Sequence, residues 1–149
     1  MPRDPAFEIA TQCLASRVRH LERTVSRIYE DALRGTGITG PQLAMLVAVQ
    51  LAGPTTAAFV GRRLNLEKST VSRNLARLTA AGLIETDGGL RITPRGAATI
   101  RDCHPLWRRA QQRLRAALGA RELQLVDALT HDPTVNPAPR SRHGKRRHP

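Results

Sequence analysis

The chain has 149 residues, 40% of them hydrophobic, with 24 Lys and Arg against 12 Asp and Glu, a formal net charge of +12. That apolar share builds a core and excludes a wholly disordered chain, while the sparse aromatics, Phe7, Tyr29, Phe59 and Trp107, exclude a stacking platform for single-stranded nucleic acid. The longest apolar run, Leu43 to Val49, falls short of the roughly 20 residues a membrane helix needs. With no basic-then-apolar secretion signal at the N-terminus, the expectation is a soluble cytoplasmic protein with no membrane partner. All of the cations except Lys68 and Lys145 are arginine, whose planar fork matches phosphates and guanine edges, so the charge favours a nucleic-acid partner.

In chain order, Asp4-Pro5 reads as a helix cap followed by proline at the first helical position. Ile9, Cys13, Leu14, Val18, Leu21, Val25, Ile28, Ala32 and Leu33 then recur at helical spacing up to Gly35. One continuous helix of some 30 residues would span about 45 Å, longer than a compact domain covers by itself, and so calls for a partner. Thr39-Gly40-Pro41-Gln42 is a capping box. It opens a buried helix through Leu43, Met45, Leu46, Val47, Val49 and Leu51, stopped by Gly53-Pro54. A short helix follows from about Thr56 to Leu64, then a turn at Asn65, a residue that tolerates the left-handed backbone. The next helix, about Glu67 to Ala81, carries Val71, Leu75 and Leu78 as its core stripe.

Residues 83–93 change period. Short alternating runs around Gly88-Gly89 read as a small β-hairpin with a two-residue turn. Thr93-Pro94 caps a helix running to about Leu118, and a last helix spans about Arg121 to Thr130. Residues 131–149 read as a disordered basic tail: Arg140, Arg142, Lys145, Arg146 and Arg147 against Asp132 leave +4 there and +8 in the rest.

Short helix, tight turn, second helix and glycine-tipped hairpin is the layout of a winged helix-turn-helix, whose second helix lays a polar face in the major groove. The fold class is therefore mainly α with a small β-hairpin wing. On the second helix, Ser69, Thr70 and Ser72 are small enough to let the backbone approach bases, and Arg73 reaches a guanine edge. Arg62, Arg63, Lys68 and Arg77 suit phosphates.

These residues resemble the MarR family of winged-helix transcriptional regulators. The resemblance rests on Gly37-Ile38-Thr39-Gly40-Pro41-Gln42-Leu43, and on Ser69-Thr70-Val71-Ser72-Arg73 followed by Leu75, Leu78 and Gly82-Leu83-Ile84. It continues through Leu90 to Thr93 with Pro94 and Gly96, then Trp107, Ala110-Gln111 and Leu118-Gly119, and covers roughly residues 8–130. It implies a homodimer held by the first and last helices, residues 5–34 and 94–130, around a DNA-binding domain at 39–93. It also implies pseudo-palindromic duplex DNA as partner and a small-molecule or redox effector acting near the junction of the two regions. The wing departs from the family, which carries an Asp-x-Arg pair on a longer hairpin. Here Asp87 and Arg91 are too far apart in sequence to be that pair, and Arg91, the wing's only cation, is its candidate DNA contact.

Other chemistry is weaker. Cys13 and Cys103 lie on the helices expected at the dimer interface; a thiol switch would need a cation, and Arg17 lies one turn from Cys13. Against it, Cys13 falls on the apolar face, where cysteine behaves as a small hydrophobe. Trp107 reads either as core or as the lining of an effector pocket. Cys103-His104 with His20 or His131 has no metal-ligand spacing, so no metal or cofactor is expected. No phosphate-binding glycine loop, activated nucleophile or carboxylate pair points to an enzyme. The reading is a homodimeric, sequence-specific transcriptional repressor. Its rival is a sequence-independent DNA-coating protein, favoured by the charge and the tail.

Overall fold

The computed structural model describes residues 4–131, so the basic tail from residue 132 onward lies outside the described residues. The order is α1 (Pro5–Gln12), α2 (Leu14–Leu33), α3 (Gly40–Ala52), α4 (Ala57–Leu64), α5 (Lys68–Ala80), β1 (Ile84–Glu85), β2 (Arg91–Ile92), α6 (Pro94–Ala117) and α7 (Ala120–His131). The fold is mainly helical with a two-stranded wing, as the periodicity predicts. The chain divides into two compact units after Leu114. No helix among the described residues is long and apolar enough to cross a membrane.

The expected single N-terminal helix is two. Asp4 caps α1, its carboxylate accepting from the Ala6 N–H at 3.0 Å, but the backbone turns extended at Cys13 (φ −64°, ψ 109°). No residue of α1 is buried, and a helix this short is marginal without packing. The break is stabilised locally: the Arg17 guanidinium donates at 2.7 Å to the Thr11 carbonyl, which the Ala15 N–H would meet in an unbroken helix.

The capping box at α3 is present, with the Gln42 N–H donating to Thr39 Oγ1 at 3.4 Å and the Thr39 N–H to Gln42 Oε1 at 3.0 Å. Met45, Leu46 and Val49 from α3 meet Val60 of α4, Val71, Leu75 and Leu78 of α5, and Leu83 and Ile84 at the wing root. Val47 and Leu51, expected in this core, are exposed. They turn away because the face of α3 that α4 and α5 cover is already filled by Met45, Leu46 and Val49. A second cluster joins Leu33, Leu43 and Cys103, with Ile38, Ile100 and Leu106 against it. Beside it, Gln111 Nε2 donates to the Tyr29 hydroxyl at 2.6 Å and ties α2 to α6.

The wing also differs from the expected two-residue turn. Ile84 pairs with Ile92 and Glu85 with Arg91, and residues 86–90 connect them. Leu90 is unavailable to extend the hairpin because it pairs with Thr55, in the loop before α4. The Thr55 N–H donates to the Leu90 carbonyl at 3.0 Å, and the Leu90 N–H to the Thr55 carbonyl at 2.8 Å. The wing is thus tethered to the body beside its turn. Behind it, the Thr93 hydroxyl donates to the Gly82 carbonyl (2.8 Å) and accepts from the Gly96 N–H (3.0 Å). Gly96 is required there: a Cβ would sit 2.1 Å from the Leu83 carbonyl oxygen.

Candidate nucleic-acid interface

The turn between α4 and α5 is set by a residue that accepts an unusual backbone. Asn65 is the only non-glycine among the described residues with positive φ (φ 51°, ψ 46°). Its N–H donates to the Arg62 carbonyl (3.3 Å), and the Leu66 N–H to the Gly61 carbonyl (2.9 Å). This paired arrangement satisfies the last carbonyls of α4 and stops the helix. Gly61 lets α5 pack closely, since a Cβ there would be 3.4 Å from both the Leu66 carbonyl oxygen and a Val71 methyl. α5 ends in the same way: Gly82 N–H donates to the Thr79 carbonyl and Leu83 N–H to the Leu78 carbonyl, each at 2.9 Å. Leu78 and Leu83 are both buried beneath it. The helix is therefore fixed at both ends and along its Val71–Leu75–Leu78 stripe.

The opposite face is free. Ser69, Ser72 and Arg73 are exposed on it together with Ala76, and Lys68 and Arg77 are exposed at its margins. Thr70 is half-buried at the flank, its carbonyl accepting from the Asn74 side-chain amide at 2.9 Å. Arg62 and Arg63 project from the last turn of α4 and Arg91 from β2, all exposed. Among the described residues the ion pair is Arg34 with Asp31, so none of these cations is neutralised by a carboxylate. A small-residue centre of Ser69, Ser72 and Ala76, one long arginine and flanking cations make a surface that can approach base edges while gripping phosphates. Two contributors escaped the sequence reading. Ala76 extends the small-residue centre, and helical spacing from Ser72 could have revealed it. Thr55 tethers the wing through a non-local pairing that leaves no local signal.

The remaining candidates lie elsewhere. Trp107 is part-exposed on α6, stacked on His104 with ring centroids 6.0 Å apart and planes 18° apart. Open concavities run along the first two helices instead, one lined by Pro5, Glu8, Ile9, Gln12 and Cys13, the other by Ser16, Arg17, His20, Leu21 and Thr24. Cys103 is buried, and burial raises its pKa against a lowering hydrogen bond from Thr36. Cys13 is not on a buried apolar face but at the break preceding α2. Its thiol is pushed below the ordinary range by the backbone N–H of Ser16 and then by the Ser16 hydroxyl. The guanidinium expected to do this, Arg17, is committed to Thr11. No three His, Cys, Asp or Glu side chains gather in a metal-binding cluster among the described residues.

Residues 36–91 match a family model described as the MarR family. The M. tuberculosis transcriptional regulator MosR is similar at 27% identity and a TM-score of 0.73, over 80% of this chain and 94% of that one. A second MosR structure, in complex with DNA, is similar at 27% identity and a TM-score of 0.69, over 79% and 94%. BpsR of Bordetella bronchiseptica shares the fold at 18% identity and a TM-score of 0.71, over 80% and 93%. No curated protein sequence matches the chain.

Proposed function

The chain belongs to the MarR family of winged-helix transcriptional regulators, and from that premise we propose that it is a cytoplasmic homodimeric repressor of a pseudo-palindromic operator. The carrying observation is the exposed face of α5, presented by a helix locked into the core along its other side. Ser69, Thr70, Ser72 and Arg73 read bases; Arg62, Arg63, Lys68, Arg77 and, on the wing, Arg91 grip phosphates. Residues 5–34 and 94–130 form the dimer. Support for a duplex partner comes from the DNA complex of MosR. Support for a small-molecule effector comes from BpsR, whose DNA binding is regulated by 6-hydroxynicotinic acid; Trp107, part-exposed on α6, is the proposed lining residue.

Selection of bound duplexes from a random pool at physiological salt tests the reading. The expected result is an inverted repeat with half-sites about one helical turn, 34–36 Å, apart. Arg73→Ala should then cost about 1–3 kcal/mol and relax preference at one base position. Recovery of no motif, with binding that collapses as salt rises, would replace the reading with sequence-independent DNA coating.

A second reading is favoured by the lowered thiol of Cys13: oxidation there modulates DNA binding. Unmodified Cys13 and intact DNA binding after mild peroxide treatment would exclude it.

A further inference from the structure

The charge on the wing has the wrong sign for a DNA grip. Gly89 lies against the Thr55 backbone, so beyond the Thr55–Leu90 tether only Thr86, Asp87 and Gly88 project, and their one charged side chain is a carboxylate. Arg91 shares the hairpin with two carboxylates: Glu85 is its cross-strand partner in register, and its guanidinium lies along the tip, 3.8 Å from where a Cβ on Gly88 would be. That places it next to Asp87 in the chain. Glu85, Asp87 and Arg91 are all exposed, and together they leave the wing at −1. By contrast, α4 and α5 present Arg62, Arg63, Lys68, Arg73 and Arg77 with no carboxylate on the same surface apart from Glu67 at the start of α5.

The hairpin backbone that carries these carboxylates is held at two points. It is pinned beside its turn by the two hydrogen bonds between Leu90 and Thr55, and at its root by Thr93 bridging Gly82 and Gly96. Because β1 follows directly on the closing turn of α5, any duplex lying on α5 passes close to this wing.

We propose that Glu85 and Asp87 limit the grip of this protein on DNA: they offset the phosphate contact of Arg91, leave the wing with no net attraction for the duplex and leave recognition to α5. This rests on the proposed approach of α5 to the major groove. A carboxylate about 10 Å from a phosphate in a water-like dielectric costs roughly 0.4 kcal/mol, about a twofold change in affinity for each carboxylate.

The test is titration of full-length protein on the selected operator and on a scrambled duplex, across a salt series, with Glu85→Gln/Asp87→Asn, Asp87→Lys, Arg73→Ala and Asp4→Asn. The double variant should bind both duplexes about fourfold more tightly at low salt. Asp87→Lys should also steepen the dependence of log K on log salt by about 1. Asp4, exposed ahead of α1, should leave affinity unchanged when replaced by Asn, which keeps an acceptor for the Ala6 N–H. Weaker binding by the double variant would overturn the proposal, because Asp87 would then be orienting Arg91 for contact. Unchanged affinity and salt slope in both wing variants would overturn it as well, as would an equal gain from Asp4→Asn, which reports net charge alone. If Arg73→Ala leaves the preference for the operator intact, the reading of α5 itself fails. If Arg73→Ala destroys that preference and the wing variants do nothing, only the wing proposal fails.

Discussion

The winged helix-turn-helix and the two N-terminal helices handle apolar surface in opposite ways. From α3 to the wing, Met45, Leu46, Val49, Val60 and Ile84 are all within 2% of complete burial, and each neighbouring element supplies part of the cover. Along α1 and the start of α2, Phe7, Ile9, Leu14 and Val18 are each more than half exposed. Burial along α2 grows only toward its end, where Leu33 joins Leu43 and Cys103. One region is stabilised by its own contacts. The other carries a hydrophobic stripe that gains stability only against something else, which in the proposed function is a second copy.

The sharpest test of that contrast removes the same kind of group from each region. Leu46→Ala in the closed core should cost about 2–5 kcal/mol in urea unfolding. Val18→Ala, measured in dilute protein, should stay within about 0.5 kcal/mol, as for exposed sites. Replacing Leu14 and Val18 by Asp should leave the core intact but weaken self-association at least about tenfold, a change of roughly 1.4 kcal/mol, read by sedimentation equilibrium. If Leu46→Ala and Val18→Ala cost the same at all concentrations, the two regions are not different in kind.

Next in size is the joint behind the wing. Gly96→Ala forces a methyl against the Leu83 carbonyl and the Ile92 side chain, which should cost about 1–3 kcal/mol and loosen the wing before the rest of the core. Hydrogen exchange at the Thr93 and Ile92 amides should report this. Smaller again is the turn into α5. Asn65→Ala places an ordinary side chain in a left-handed conformation at a cost of roughly 1–2 kcal/mol, whereas Asn65→Gly should be close to neutral in thermal unfolding.

The elements that those substitutions probe were the legible ones. Capping residues write their signal within four positions, so Thr39–Gln42 and Asn65 could be read directly. The stripe of α5 was equally plain, because its period needs no knowledge of a partner. What escaped the reading was non-local. No proline or glycine marks the break at Cys13; it depends on what α1 lacks in packing and on a guanidinium reaching back to Thr11. The Thr55–Leu90 bridge joins segments that periodicity treats as unrelated. The exposure of Val47 and Leu51 follows from which side of α3 its neighbours occupy, which an all-apolar helix does not announce. Within the candidate site, α5 was readable by face. The wing's charge was countable, but where Arg91 lies relative to Gly88 was not.

The two cysteines carry the contrast between the regions down to a single atom type, and they give the smallest of the expected effects. Cys103 sits in the sealed cluster with Leu33 and Leu43, where burial favours the neutral thiol and raises its pKa. Cys13 sits at the break before α2, where Ser16 donates hydrogen bonds that favour the thiolate and lower it. Alkylation requires thiolate and access together. Cys13 should therefore react promptly, with a rate that levels off at a pH below that of an ordinary thiol, while Cys103 should react only as the protein unfolds. The signs for stability are opposite. The contribution from Cys13 is present above the ordinary thiol range and fades as pH falls through its lowered value. That from Cys103 is full below the ordinary range and is lost as pH climbs toward its raised one. Ser16→Ala should move the alkylation profile of Cys13 back up while leaving Cys103 untouched. A profile that does not move would show that the N-terminal region does not hold Cys13 in the geometry described, and that the contrast with Cys103 is one of exposure alone.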